Sequence, residues 1–302
     1  LFEQMQMECP LLDLSSFICI LKACSGNLSL GKAMDMHTHV IDCGFELDMS
    51  VSCSLIDMYV KCGSLESAQV MFNKSPCWDV AMWSALISGH AQLGHGKKAF
   101  ELLDEMRLAK FEPNQVTYLS ILKACSLSTA LEQGRLVHGQ MIRSGIEMEN
   151  SIGNALVDMY SKCGSIEDAV KVFTGLSMRD IVTWNAMMSG YMKVGDEKRV
   201  LQCFEEIRKE CVKPDGVTFL CVLSACSHMG LRREGISMFL YMMQDKEVAA
   251  TQEHYNCMVE LLGGRGDWTE AYDLFNTMPT MPNIVGWTSL LNHCGKHIVK
   301  CT

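Results

Sequence analysis

Apolar residues in this chain recur at helical spacing. In 181–215, Trp184, Met187, Met188 and Tyr191 stand at i, i+3, i+4 and i+7, which draws one apolar stripe down an α-helix. Gly195 interrupts the stripe, because glycine readily takes the backbone conformation that closes a helix. A second stripe follows at Val200, Phe204 and Ile207. The segment Val212-Lys213-Pro214-Asp215 is expected to end it, since proline cannot continue a helix and pushes the residue before it out of the helical region. Gly63, Gly94 and Gly164 punctuate other segments in the same way. The pattern predicts a series of helical hairpins, roughly sixteen helices in all.

The hairpins repeat literally. Leu21-Lys22-Ala23-Cys24-Ser25 returns as Leu122-Lys123-Ala124-Cys125-Ser126 and again as Leu223-Ser224-Ala225-Cys226-Ser227, at an offset of 101 residues each time. Met58-Tyr59-Val60-Lys61-Cys62-Gly63-Ser64 returns as Met159-Tyr160-Ser161-Lys162-Cys163-Gly164-Ser165 at the same offset, as do the pairs Trp83/Trp184, Pro113/Pro214 and His37/His138. Each block of 101 divides into segments of 35, 35 and 31 residues. The cuts fall at 14–48, 49–79, 80–114, 115–149, 150–180, 181–215, 216–251 and 252–283, with 1–13 as the tail of an earlier repeat. One hairpin cannot bury its stripe alone, whereas stacked neighbours bury a continuous core. The fold class is therefore an all-α solenoid. Ala68 to Phe72 and Ala169 to Phe173 fit such stacking, a small residue allowing close approach and a ring filling the gap. The Met and aromatic stripes read as core, not as a cofactor box.

Composition constrains this picture. The chain has 302 residues, 48% of them hydrophobic, only 6 prolines and no Gly/Ser linker, which predicts one continuous helical body. No apolar run reaches 18 residues, so no membrane partner is expected. Leu1 to Glu8 do not read as a signal or transit peptide, and the absence of a leading Met suggests that the natural N-terminus lies upstream. The 16 cysteines contain no CxxC spacing, which argues against zinc and disulfides and for core cysteines in a reducing compartment. The net charge of -9 requires any nucleic-acid surface to gather its few basic residues on one side.

Several segments carry a family resemblance. They are Val182-Thr183-Trp184-Asn185-Ala186-Met187, Asn154-Ala155-Leu156-Val157-Asp158-Met159-Tyr160, and Val217-Thr218-Phe219 with Leu223-Ser224-Ala225-Cys226-Ser227-His228. With the alternating lengths, they resemble the pentatricopeptide repeat family, in its plant subclass of 35, 35 and 31 residues. Glu253-His254-Tyr255 with Met258-Val259 resembles the family's final short repeat, and Trp287 to Leu291 the start of the extension after it, so that 284–302 is expected to be a truncated E-type extension. The rival tetratricopeptide repeat should show Trp-x-x-Leu-Gly-x-x-Tyr, which no segment does.

The resemblance implies a right-handed superhelical solenoid that binds single-stranded RNA, one base per repeat, through the fifth and last residues of each repeat. Ser84 with Asn114 resembles the adenine combination, Asn154 with Asp180 and Asn185 with Asp215 the uracil combination, and Asn256 with Asn283 a cytosine-preferring one. Cys53 with Asp79 departs from the pattern, and Ile18, Leu119 and Leu220 cannot hydrogen-bond a base edge. The implied target is A-N-U-U-N-C. A lone Asn or Asp at a helix start is commonly a cap, but recurrence at the same two places favours readout. Reading side chains should then line up along one groove, open to a base. Lys61, Lys162 and Lys193 hold the thirteenth place of their repeats, a little over two helical turns beyond the reading residue, where phosphate contact is implied; the other reading is helix C-terminal cations favoured by the macrodipole. Val182 and Val217, second in their repeats, are where the family wedges a base.

Catalytic signatures are missing. A zinc deaminase needs His-x-Glu and Pro-Cys-x-x-Cys, and neither occurs. His293 and His297 stand four apart without further ligands, so no metal, no cofactor and no enzyme activity is expected. The implied role is RNA processing or C-to-U editing-site recognition in a plant mitochondrion, with the chloroplast as the alternative, and a deaminase or editing cofactor supplied in trans. A protein–protein scaffold and a non-functional gene product are the alternatives.

Overall fold

The computed structural model describes residues 14–24, 29–146, 149–245, 247–264, 268–276 and 288. These residues form sixteen helices and, among themselves, no strand. They fall into two compact units, Leu1–Glu147 and Met148–Thr302. The expectation of one continuous body is corrected here. In a repeat array each hairpin touches only its sequence neighbours, so cohesion is local and the chain can divide without a flexible linker to mark the place.

The first unit holds α1 (Leu14–Cys24), α2 (Leu30–Asp42), α3 (Met49–Lys61), α4 (Leu65–Lys74), α5 (Val80–Gln92), α6 (Gly96–Leu108), α7 (Gln115–Ser128) and α8 (Leu131–Arg143). The second holds α9 (Asn150–Lys162), α10 (Ile166–Gly175), α11 (Ile181–Val194), α12 (Glu197–Lys209), α13 (Gly216–Met229), α14 (Arg232–Gln244), α15 (Gln252–Gly263) and α16 (Trp268–Asn276). Within each unit the first helix of a hairpin packs on the first helix of the next, as α9 on α11 and α11 on α13. Second helices lie against their own first helix and the first helix that follows, as α12 does against α11 and α13.

Local chemistry explains the hairpins. Gly195 caps α11 with φ of 74°, and Gly63, Gly94 and Gly164 turn the chain at 77° to 78°; a side chain there would cost about 1–2 kcal/mol. The end of the second helix differs from expectation. Helix α12 stops at Lys209, well before Pro214, and Cys211 turns the chain at φ of 56°, as Lys110 does 101 residues earlier at 63°. The proline instead precedes Asp215, the N-cap of α13.

The core follows the stripes. Trp184, Met187, Met188, Val200, Phe204 and Ile207 are buried, whereas Tyr191 is only half-buried. Phe173 meets Trp184 edge-on at 4.7 Å between centroids, and Phe72 meets Trp83 in the same way at 4.6 Å. Gly190 lies so close to α9 that an added Cβ would sit 2.6 Å from Ser161 Oγ, so glycine sets the spacing of the two first helices. The cysteine expectation holds in part. Cys125, Cys203, Cys221 and Cys226 are buried, and burial pushes the Cys203 thiol up to about 12; Cys19, Cys43, Cys77 and Cys211 are exposed.

Candidate nucleic-acid interface

Each unit opens a cavity between neighbouring first helices. In the second unit it measures about 510 Å³ and is lined by Asn154, Asp158 and Lys162 from α9, by Val182, Asn185, Ser189 and Lys193 from α11, and by Asp215 and Val217 at the start of α13. In the first unit it measures about 370 Å³ and is lined by Cys53, Asp57, Lys61, Ala81, Ser84, Ser88, Gln92, Asn114 and Val116. Every residue in the second list stands 101 positions before its counterpart in the first.

Where the last residue of a described segment is Asp or Asn, it caps the first helix of the next, whereas Glu149 makes no side-chain cap. Asp79 accepts from the Met82 amide at 2.8 Å, Asn114 from Thr117 at 3.0 Å, Asp180 from Thr183 at 2.9 Å and Asp215 from Thr218 at 2.9 Å. Such a cap satisfies an otherwise orphaned helix N–H. The capping residue and the expected reading partner are the same group. Asn185 Nδ2 donates to Asp215 Oδ1 at 2.9 Å, and Asn154 Nδ2 donates to both Asp180 oxygens, at 3.1 and 3.0 Å. Ser84 Oγ lies 3.3 Å from Asn114 Oδ1 and donates to the Val80 carbonyl at 2.7 Å. The cap holds the carboxylate, and the carboxylate holds the amide of the preceding hairpin.

Two residues depart from the openness expected of readers. Ser84 is 4% exposed and Asn185 8%, because each is clamped between two first helices at the cavity floor. Val182 and Val217, by contrast, stand 58% and 51% exposed on the rim of the second cavity. Asn256 on α15 is half-buried, and its Oδ1 is buried without a hydrogen-bond partner. Its expected partner Asn283 lies outside the described residues, as do residues 1–13, His293, His297 and nearly all of 284–302. Ile18, Leu119 and Leu220 are half-buried.

The lysines line the cavities but are engaged. Lys61 Nζ pairs with Asp57 at 2.7 Å and Lys162 with Asp158 at 2.8 Å, while Lys193 donates to the Lys162 carbonyl. Exposed pairs one turn apart are worth only about 0.3–0.5 kcal/mol. Burial pushes the Asp180 carboxyl up, but hydrogen bonds from the Thr183 amide and hydroxyl and from Asn154 hold it below the usual carboxylate range. The Cys53 thiol is pushed up to about 11, chiefly by burial and then by Asp79, so at neutral pH it is a weak, uncharged donor.

The sequence reading overlooked the buried threonines Thr117, Thr183 and Thr218. Thr218 Oγ1 donates to Asn185 Oδ1 at 2.7 Å, Thr183 Oγ1 donates to Asn154 Oδ1, and Thr117 Oγ1 lies 2.8 Å from Ser84 Oγ. Their signal was available in the spacing from cap to threonine, Asn114-x-x-Thr117, Asp180-x-x-Thr183 and Asp215-x-x-Thr218, which is that of a capping box.

Comparison with known proteins rests on the same segments. Residues 78–126 and 179–228 match the PPR repeat family, and 51–77, 154–180, 217–246 and 253–281 match the PPR repeat, so that together the matches cover more than half of the chain. The chain belongs to the PPR repeat family. A mitochondrial pentatricopeptide repeat-containing protein of Arabidopsis thaliana is 39% identical over 289 residues, 95% of this chain and 51% of that protein. The chloroplastic pentatricopeptide repeat-containing protein CRR2 of the same plant is 38% identical over 284 residues, 92% of this chain and 43% of CRR2. The chain thus spans about half, or less, of the curated relatives it matches. Maize PPR10 superposes with a TM-score of 0.64 at 18% identity, over 98% of this chain and 53% of PPR10. PPR10 has also been solved in complex with an 18-nt psaJ RNA element, and that structure gives the same TM-score at 20% identity, over 96% of this chain and 49% of PPR10. At such identity the likeness shows the fold, the helical-hairpin solenoid of this repeat family.

Among the described residues no group of His, Cys, Asp and Glu is arranged to hold a metal ion, and no helix is long and apolar enough to cross a membrane.

Proposed function

We propose that this PPR chain binds single-stranded RNA sequence-specifically, each repeat facing one base. The observation that carries the reading is the recurrence of one hydrogen-bonded Asn–Asp pair, Asn154 with Asp180 and Asn185 with Asp215, whose two amides both line the second cavity. An amide has two N–H donors and a carboxylate has acceptor capacity left after capping. The pair therefore offers one donor and one acceptor to an incoming base. Uracil presents carbonyl acceptors beside its imino N–H donor and complements that edge. The exposed valines at 182 and 217 provide the apolar walls that hold the base between hairpins. Lys162 and Lys193 face the same opening and would take the phosphates, which makes affinity salt-dependent despite the overall net charge of -9.

The target is A-N-U-U-N-C. Ser84 and Asn114 read A, the two Asn–Asp pairs read U-U, and Asn256 with Asn283 reads C; Leu119 and Leu220 are spacers. The repeats are those of 80–114, 115–149, 150–180, 181–215, 216–251 and 252–283, in that order. The role is site recognition for RNA processing or C-to-U editing, with a deaminase acting in trans, and the place is an organelle. Relatives named mitochondrial and chloroplastic support an organelle without choosing between them. The test is equilibrium binding to A-N-U-U-N-C and to versions altered at one base. Each altered U should cost about 1–3 kcal/mol, by analogy with amide contacts to DNA bases, and equal affinity for all versions would sink the reading.

A further inference from the structure

We infer that the threonine at the third place of the following repeat is a specificity-determining positioning residue: Thr218 for Asn185 and Thr183 for Asn154. The inference rests on the RNA-reading function above and deepens it.

The hydrogen-bond inventory around Asn185 leaves little freedom. Asp215 Oδ1 already accepts from the Thr218 backbone amide and from Asn185 Nδ2, each at 2.9 Å. Two donors saturate the lone pairs of one carboxylate oxygen. The Thr218 hydroxyl carries a single hydrogen, and Asn185 Oδ1 at 2.7 Å is a nearer acceptor than Asp215 Oδ1 at 2.9 Å. One of the two lone pairs of Asn185 Oδ1 is therefore engaged inside the protein. The second Nδ2 hydrogen is left as a donor for the cavity, beside the acceptor capacity of Asp215 Oδ2. Turning the amide over would set its carbonyl against the Asp215 carboxylate, so the hydroxyl and the carboxylate hold one orientation together.

Base choice follows from how the amide is held. With Nδ2 on Asp215 and Oδ1 on Thr218, the amide presents its donor beside the carboxylate acceptor, which suits uracil. An amide released from the hydroxyl is freer to turn Oδ1 toward an exocyclic amino group, as in cytosine. The Thr218 hydroxyl thus disfavours amino-bearing bases by fixing the orientation of the amide. Asn154 is oriented likewise, with both Asp180 oxygens on its Nδ2 and Thr183 on its Oδ1. In the first unit the corresponding place is held by the buried Met82, which has no hydroxyl and meets the capping carboxylate of Asp79 through its amide.

The test uses the full chain, as wild type, Thr218→Val and Thr218→Ser, with RNAs carrying U or C at the third or the fourth base of A-N-U-U-N-C. Wild type should prefer U at both places. Thr218→Val keeps the side-chain volume and removes the hydroxyl. It should lower the U-to-C affinity ratio at the fourth base by about threefold to tenfold, the worth of one hydrogen bond. The ratio at the third base, read through Thr183, should be unchanged in the same molecule. Thr218→Ser should restore the fourth-base ratio. Partial unfolding lowers binding to every RNA alike and so drops out of both ratios. Thr183→Val provides the mirror experiment, with the loss moved to the third base. A Thr218→Val protein with the wild-type ratio at the fourth base overturns the inference, as does one in which both ratios fall together. A wild type that does not distinguish U from C would instead overturn the RNA-reading function beneath it.

Discussion

The two cavities are the same construction 101 residues apart, furnished differently. Cys53 in the first stands where Asn154 stands in the second, Ser84 and Asn114 where Asn185 and Asp215 stand, and Gln92 where Lys193 stands, while the buried Met82 stands where Thr183 does. The framework beneath is unchanged. Lys61–Asp57 repeats as Lys162–Asp158, and Phe72–Trp83 repeats as Phe173–Trp184. Even an unlike pair does the same work. Trp78 stacks on Phe72 at 5.4 Å and donates to its carbonyl, while Arg179 covers Phe173 at 4.9 Å and donates to that carbonyl. The lesson is a division of labour. Residues facing the core hold the helices at a fixed spacing, and those on the cavity floor vary without disturbing it, because their hydrogen bonds join side chains and caps and not the packed stripe.

The strongest way to break the comparison is through the shared framework. Trp184→Ala and Trp83→Ala should each destabilise their own unit by about 3–5 kcal/mol, the usual cost of emptying a buried indole site. Urea denaturation followed separately for the two units checks this, and a loss confined to one of them would show that the frameworks are not equivalent. Next in size is a change of letter in the second cavity. Asn185→Thr, with Asp215 kept, should move preference at the fourth base from uracil toward guanine by about 1–3 kcal/mol, as seen in competition binding. An unchanged uracil preference would remove Asn185 from the reading set.

The comparison sharpens when the first cavity is refurnished. Cys53→Asn together with Met82→Thr rebuilds the arrangement of Asn154 and Thr183 against the existing Asp79. An RNA carrying U one place upstream of the A should then bind about tenfold better than the same RNA with C there, whereas wild type should show little difference. Met82 is fully buried, so the exchange also costs about 1–3 kcal/mol of stability. The smallest effect is that of pH. The carboxyl of Asp180 is held below its usual range in the folded protein. Its contribution to stability is therefore complete above the unfolded value of about 4 and is lost as pH falls through the folded value. Asp180→Asn should flatten the acid limb of the stability curve measured by urea unfolding, and a variant with the wild-type acid limb would contradict the assignment.

Particular residues show how far the sequence could be read. Trp184, Met187, Val200 and Phe204 are buried where their spacing put them, because a 3.6-residue period is a property of the chain itself. Gly195 turns the chain where a glycine was needed. The end of α12 was misjudged, since Cys211 turns the backbone before Pro214 is reached. Thr218 went unnoticed because its partner Asn185 lies 33 residues away in sequence. The engagement of Lys61 and Lys162 was legible as i,i+4 spacing to Asp57 and Asp158, but the value of that spacing emerged only with the distances.

By itself the sequence determined the helices, their pairing into hairpins and the 101-residue offset that makes two cavities comparable, because period and repetition are local properties. Tertiary structure alone decided that one carboxylate both caps a helix and grips the amide of the hairpin before it. It also decided that Ser84 and Asn185 sit at the cavity floor, and that the array divides into two compact units. Those are relations between hairpins, and a hydrogen bond across about thirty residues exists only once stacking has set the distance.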